Sequence, residues 1–220
     1  MSVIASLLIA AVVAAEPYEP RGWIRPLDYP PSAFRQTRGG VTAFELTFSA
    51  EGKPMRCAIA HSSGWEDLDK ATCDLVLVRA RATPALDPAG RPTVFVYRSS
   101  HRWFMEGMKP KAASPLRHDI ERELEKLPSG VAAPARVEVA FIVGLDGRIS
   151  DCSPVKPANP NGRRFRESQQ ASASLWTEAC RIVAAEARPS PALDAAGQLV
   201  VSVQTMRISF TTQTSPPAGH

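Results

Sequence analysis

The sequence predicts an α+β protein made of two tandem units. Each unit is a small antiparallel three-stranded sheet (β-hairpin, helix, third strand) packed by one or two helices. Three observations carry this reading. The chain repeats itself: "FELTFSAEGKPMRC" (Phe44–Cys57) matches "VAFIVGLDGRISDC" (Val139–Cys152), and "TPALDPAG" (Thr83–Gly90) matches "SPALDAAG" (Ser190–Gly197). Apolar residues alternate before each glycine turn and then fall at helical spacing. A cysteine recurs on the second strand and another on the helix of each copy.

Taken in order, Met1–Ala15 is an apolar run ending in small residues. It is shorter than the about 20 residues a membrane span needs. It reads as a secretory signal peptide cleaved after Ala15, with Val13 and Ala15 at the minus-three and minus-one positions. No Lys or Arg precedes the apolar core, which leaves an uncleaved inner-membrane anchor as the alternative. Residues 26–104 form the first unit. A short helical turn is expected around Tyr29–Phe34. Thr42, Phe44, Leu46 and Phe48 mark one face of a strand, and Gly52 supplies the hairpin turn. Cys57 lies on the second strand. Leu68, Ala71, Leu75 and Val78 form the helical stripe, and the third strand is "TVFVYRSSHRWF". Ser63 and Glu66 fit a capping box at the helix start.

Residues 105–113 link the halves, and residues 114–210 form the second unit. A leading helix is expected there, capped by Ser114 with Leu116, Ile120, Leu124 and Leu127 as its stripe. Val137, Val139, Phe141 and Val143 repeat the strand face of the first unit. Gly147, Cys152, the stripe Leu175, Ala179, Ile182 and Val183, and the strand "LVVSVQTMRISF" follow. A twelve-residue insertion around "PANPNGRRFRESQQ" puts Arg163, Arg164 and Arg166 in a basic loop. Residues 211–220 read as a disordered tail.

Composition narrows the function classes. The net charge is +4 and the arginines are spread along the chain, so no nucleic-acid footprint is visible. No Cys-x-x-Cys or zinc spacing occurs, so neither a metal nor another cofactor is expected. Export implies an oxidising compartment in which cysteines pair. Four cysteines allow three connectivities. A helix lying across its own hairpin favours Cys57–Cys73 and Cys152–Cys180. The stretch His61-Ser62-Ser63, with Asp67, Asp69 and His101, raises a serine hydrolase as an alternative. It has no Gly-x-Ser-x-Gly elbow and no counterpart in the second copy. The chain is read as not an enzyme.

Several residues resemble the TonB C-terminal domain family: Tyr29-Pro30, Gly40-Val41, Gly52, Ser62-Ser63-Gly64, Leu68-Asp69, Pro84-Ala85 and Gly90. Residues 116–210 resemble it more weakly, through the hairpin, the helix and Pro191-Ala192-Leu193-Asp194. The resemblance implies a periplasmic module that binds a protein or peptide of the envelope, such as a TonB-dependent outer-membrane transporter, by adding its strand to a sheet edge. The third strands are the expected edges: Thr93, Val94, Phe95, Val96, Tyr97 and Arg98 in the first unit, and Val200, Val201, Ser202, Val203 and Gln204 in the second. A shortened, membrane-anchored energy transducer is the alternative of the same family. It would need a long spacer, and only "EPYEPRGWIRP" separates the apolar run from the first unit.

Overall fold

The computed structural model describes residues 11–105, 119–131, 133–155 and 173–212. The first half contains a helical turn, α1 (Pro31–Arg35), strands β1 (Gly40–Phe48) and β2 (Pro54–His61), helix α2 (Glu66–Arg79), and strands β3 (Ala85–Leu86) and β4 (Pro92–Trp103). Then come β5 (Asp119–Leu124), β6 (Ala135–Val143), β7 (Ile149–Pro154), α3 (Ala173–Glu186), β8 (Ala192–Leu193), β9 (Leu199–Val200) and β10 (Ser202–Thr212). The β–β–α–β order recurs in both halves.

One sheet, not two, forms the body. Its strand order is β2-β1-β4-β10-β6-β7. Each half contributes an antiparallel trio, and β4 meets β10 in parallel through Val94–Val96 and Ser202–Gln204. The expected separate three-stranded sheets are therefore fused edge to edge. The seam residues join the strands differently on the two faces. Phe95 and Val203 are buried together in the core on one face, while on the other the buried Gln204 accepts from Arg98 and donates to the Ser190 oxygen.

Paired residues of neighbouring strands point to the same face. Phe95 opposes Val203, and Val203 opposes Ile142. These residues join Phe44, Leu46, Phe48, Leu68 and Val76 in one core under α2. Val137, Val139, Phe141 and Val143 point the other way and pack with Leu175, Ala179, Ile182 and Val183 of α3. The two helices thus cover opposite faces of the shared sheet. On α3 the expected stripe is the buried one. On α2 the buried line is Leu68, Thr72 and Val76, while Val78 is 71% exposed. Thr72 holds its place in that line by donating to the Leu68 carbonyl and accepting from Trp103 Nε1, each at 2.9 Å.

Two disulfides tie each outer strand to its helix. Cys57 of β2 bonds Cys73 of α2, and Cys152 of β7 bonds Cys180 of α3, with Cα separations of 5.5 and 5.7 Å. Gly52 makes the first hairpin turn at φ 74°, and a Cβ there would lie 2.0 Å from the Ala82 carbonyl oxygen. That carbonyl follows an amide that bonds the Gly52 oxygen, so the turn and the exit of α2 close on each other.

Two further expectations differ. Residues 119–124 of the expected leading helix are strand β5, paired in parallel with Arg207–Thr212; Ser114 and Leu116 lie outside the described residues. Ile120 and Leu124 are four apart, which suits a helix and also one face of a strand. Thr211 and Thr212 belong to β10, not to a tail. Val12–Pro17 forms part of the body: Val13 pairs with Leu86, and Pro17 with Ala82. The basic loop at Arg163, Arg164 and Arg166 lies outside the described residues.

Candidate functional site

The seam between β4 and β10 is short because the two strands part after it. β4 pairs with β1 from Phe95 to Trp103, but with β10 only from Val94 to Val96. β10 pairs with β6 along Ser202–Phe210. Its other side, from Arg207 to Thr212, is filled by β5. The repeat offset of 107 between the third strands maps this filled stretch onto Ser100–Trp103 of β4 and the residues after it. No described strand pairs with that side of β4 beyond Val96.

The expected partner-binding residues are placed as follows. Thr93 pairs with Ala85. Val94, Phe95 and Val96 face Ser202, Val203 and Gln204 across the seam, so neither segment is an open edge. Tyr97 packs edge-on against Trp23, ring centroids 5.7 Å apart. Arg98 donates to Glu45 at 2.6 Å and to Gln204 at 2.7 Å. Val200 sits in the small β8–β9 hairpin, and Val201 is exposed beside it. Both segments named from the sequence are thus engaged within the sheet or its turns. The outermost strands are β2 and β7, and both carry register shifts against their neighbours. Such irregularity blunts an edge against pairing.

The His61-Ser62-Ser63 loop is built around Asp69. This carboxylate, 8% exposed, accepts from Thr42 Oγ1 at 2.9 Å, from the Ser63 amide at 2.9 Å and from the Ser62 hydroxyl. Burial pushes its pKa up, but the hydrogen bonds from Ser62, Ser63 and Thr42 outweigh that and hold it below the ordinary carboxylate value. The expected capping box does not form. Helix α2 starts at Glu66 behind Trp65, and the Ser63 hydroxyl bonds the Trp65 backbone instead. Gly40 fits against this loop, where a Cβ would come within 2.4 Å of the Ser63 oxygen. His61 is exposed at the end of β2. His101 stacks edge-on against Trp103 at 4.7 Å, and burial lowers its pKa against the pull of Asp28. The bonds to Asp69 from Thr42, Ser62 and Ser63 tie β1, the end of β2 and α2 together; among the described residues no hydrogen bond joins a histidine to a serine. Asp67, for its part, accepts from Ser32 at 2.6 Å.

Among the described residues no cluster of three metal-ligating side chains occurs. No described helix is long and apolar enough to cross a membrane.

Residues 25–103 match the family model of the Gram-negative bacterial TonB protein C-terminal. The match covers about a third of the chain, from before α1 to the end of β4. No curated protein and no solved structure matches.

Proposed function

We propose that the protein is an exported, envelope-located binding module that takes an extended segment of a partner protein as an added strand beside β4. Residues 25–103 match a family of non-enzymatic protein-interaction domains, which supports a TonB-like interaction module. The observation that carries the reading is β5. A segment of the chain itself lies in parallel on β10 over Arg207–Thr212, and the corresponding stretch of β4 has no described strand beside it.

In this reading the peptide's main chain bonds the free side of β4 along Ser100–Trp103. Ser100 and Arg102, both exposed, meet its side chains on one face and His101 meets them on the other. Main-chain bonds give affinity, and alternate side chains give selectivity. The partner class is a short segment of an outer-membrane transporter. The second half, residues 114–210, is a divergent copy of the first, 26–104, whose matching site is closed by β5. The apolar start directs export to the periplasm.

Amide chemical shifts of the full chain, titrated with a TonB-box peptide, test the reading. Shifts at Ser100–Trp103 without shifts at Arg207–Thr212 are expected. Unmoved amides along β4 sink it.

A further inference from the structure

We propose a second peptide site, separate from the β4 edge: the groove between the Ser190–Leu193 turn and the back of the first half's sheet, which takes an extended segment carrying a carboxylate. The argument starts from the matching groove of the other half, which is filled. There Val13 and Leu86 exchange two backbone hydrogen bonds of 2.9 Å, the Thr83 amide donates to the Glu16 oxygen at 2.9 Å, and the Tyr18 amide donates to the Arg81 oxygen at 2.8 Å. The Val12 amide donates to Ser153 Oγ at 3.0 Å. Val12 and Ala15 are buried in the core that holds Ala140, Ile142 and Val203. An extended run of small apolar residues is thus laid between a turn of one half and the sheet of the other.

The repeat offsets carry Leu86 onto Leu193, Ala140 onto Glu45, Ile142 onto Thr47, Ser153 onto Ala58, and Val203 onto Val96. These are the residues that line a groove of about 160 Å³ beneath Ser190–Leu193. No described strand occupies it. Its turn presents the same backbone groups. The Asp194 amide bonds the Gln198 oxygen at 3.0 Å, so the next pair of the ladder, Leu193 and Leu199, is the non-hydrogen-bonded one. The N–H and C=O of Leu193 therefore point outward, as those of Leu86 point to Val13. No hydrogen bond to either is present among the described residues.

The floor differs in chemistry. Where the filled groove offers Ala140 and Ile142, this one offers Glu45 and Thr47, with Arg56 and Arg98 beside them. Arg98 is neutralised by Glu45. Arg56 makes no ion pair among the described residues. A guanidinium left over beside an open strand edge favours a peptide carboxylate, which it can hold through charge-assisted hydrogen bonds.

The test uses the full chain and the blocked peptide Ala-Val-Glu-Ala-Glu-Pro, followed by amide chemical shifts. Shifts at Ser190 and Leu193 are expected. Replacing both glutamates by glutamine, or Arg56→Ala in the protein, should each weaken binding about tenfold, the scale of one lost charge-assisted bond. Equal binding of the glutamine peptide to the native chain, or unchanged binding to Arg56→Ala, overturns the proposal. So does the absence of shifts at Leu193, whether the groove takes nothing or another part of the chain holds it. Shifts confined to Ser100–Trp103 also overturn it and leave the β4 reading standing.

Discussion

Arg98 of β4 donates a 2.7 Å hydrogen bond to the side-chain oxygen of Gln204 on β10. Gln204 is fully buried, and its amide nitrogen donates to the Ser190 oxygen at 2.9 Å. One side chain therefore joins the first half's strand, the second half's strand and the turn that roofs the groove. Gln204→Ala leaves both the guanidinium and the Ser190 carbonyl short of a partner. A loss of about 2 kcal/mol is expected. Urea unfolding should still show one transition for both halves, at a lower midpoint. Two resolved transitions would mean that the halves are not energetically joined at this seam.

Acid should weaken the protein through Asp28. Hydrogen bonding to the Arg79 guanidinium holds the Asp28 carboxyl at about 2, below the ordinary value. A depressed native pKa stabilises the fold above the unfolded value, about 3.9, and that gain is lost as pH falls. Asp28→Asn should lower stability at neutral pH and flatten the loss between about pH 4 and about pH 2. Asp69, held low by its hydrogen bonds, adds in the same direction. Thermal midpoints of native and variant chains across that range decide the point; parallel curves would refute it.

The disulfides act on cores that are small, so reduction should be costly. Chain-entropy reasoning gives about 3 kcal/mol for each loop. Cys57→Ser with Cys73→Ser should lower the thermal midpoint, and adding reductant to that double variant should lower it again through Cys152–Cys180. A reductant-insensitive double variant would show that the second bridge adds nothing.

A chain that begins at Glu16 loses the burial of Val12 and Ala15, which are 3% and 7% exposed. Its stability should fall by about 2 kcal/mol, the scale of one buried valine side chain. The Leu86 amide, freed from Val13, should exchange faster with solvent. The Thr83 amide should stay protected, because its acceptor belongs to Glu16. The mass of the chain recovered from the envelope shows which form exists there: a start at Glu16 excludes an anchor.

Much of each half was legible in the sequence. Alternation at Phe44, Leu46 and Phe48 and at Val137, Val139 and Phe141 found β1 and β6 on the correct face. Recurrence of the cysteines found both bridges, because a helix on its own hairpin is a local arrangement. What stayed hidden was how the halves meet. Val94–Val96 reads the same as a strand at an edge or at the centre of a sheet, since only the partner's approach buries the second face. Ile120 and Leu124 could not separate helix from strand by spacing alone; the free side of β10 decided it. Ser63 looked like a helix cap because cap and turn use the same side-chain chemistry, and Asp69 claimed its backbone instead. Val12–Ala15 has the composition of a leader, and small apolar residues equally suit a tight slot between a turn and a sheet.

Since β4 and β10 run in the same direction, tension drawn along a peptide docked on β4 would run lengthwise past Val94–Val96 and Ser202–Gln204. That short ladder would be loaded in shear, so its bonds would have to give together rather than peel away singly. A pull across the strands would meet them one after another. If β4 docks a peptide as proposed, the fusion of the halves would resist a steady axial tug and yield to a sideways one.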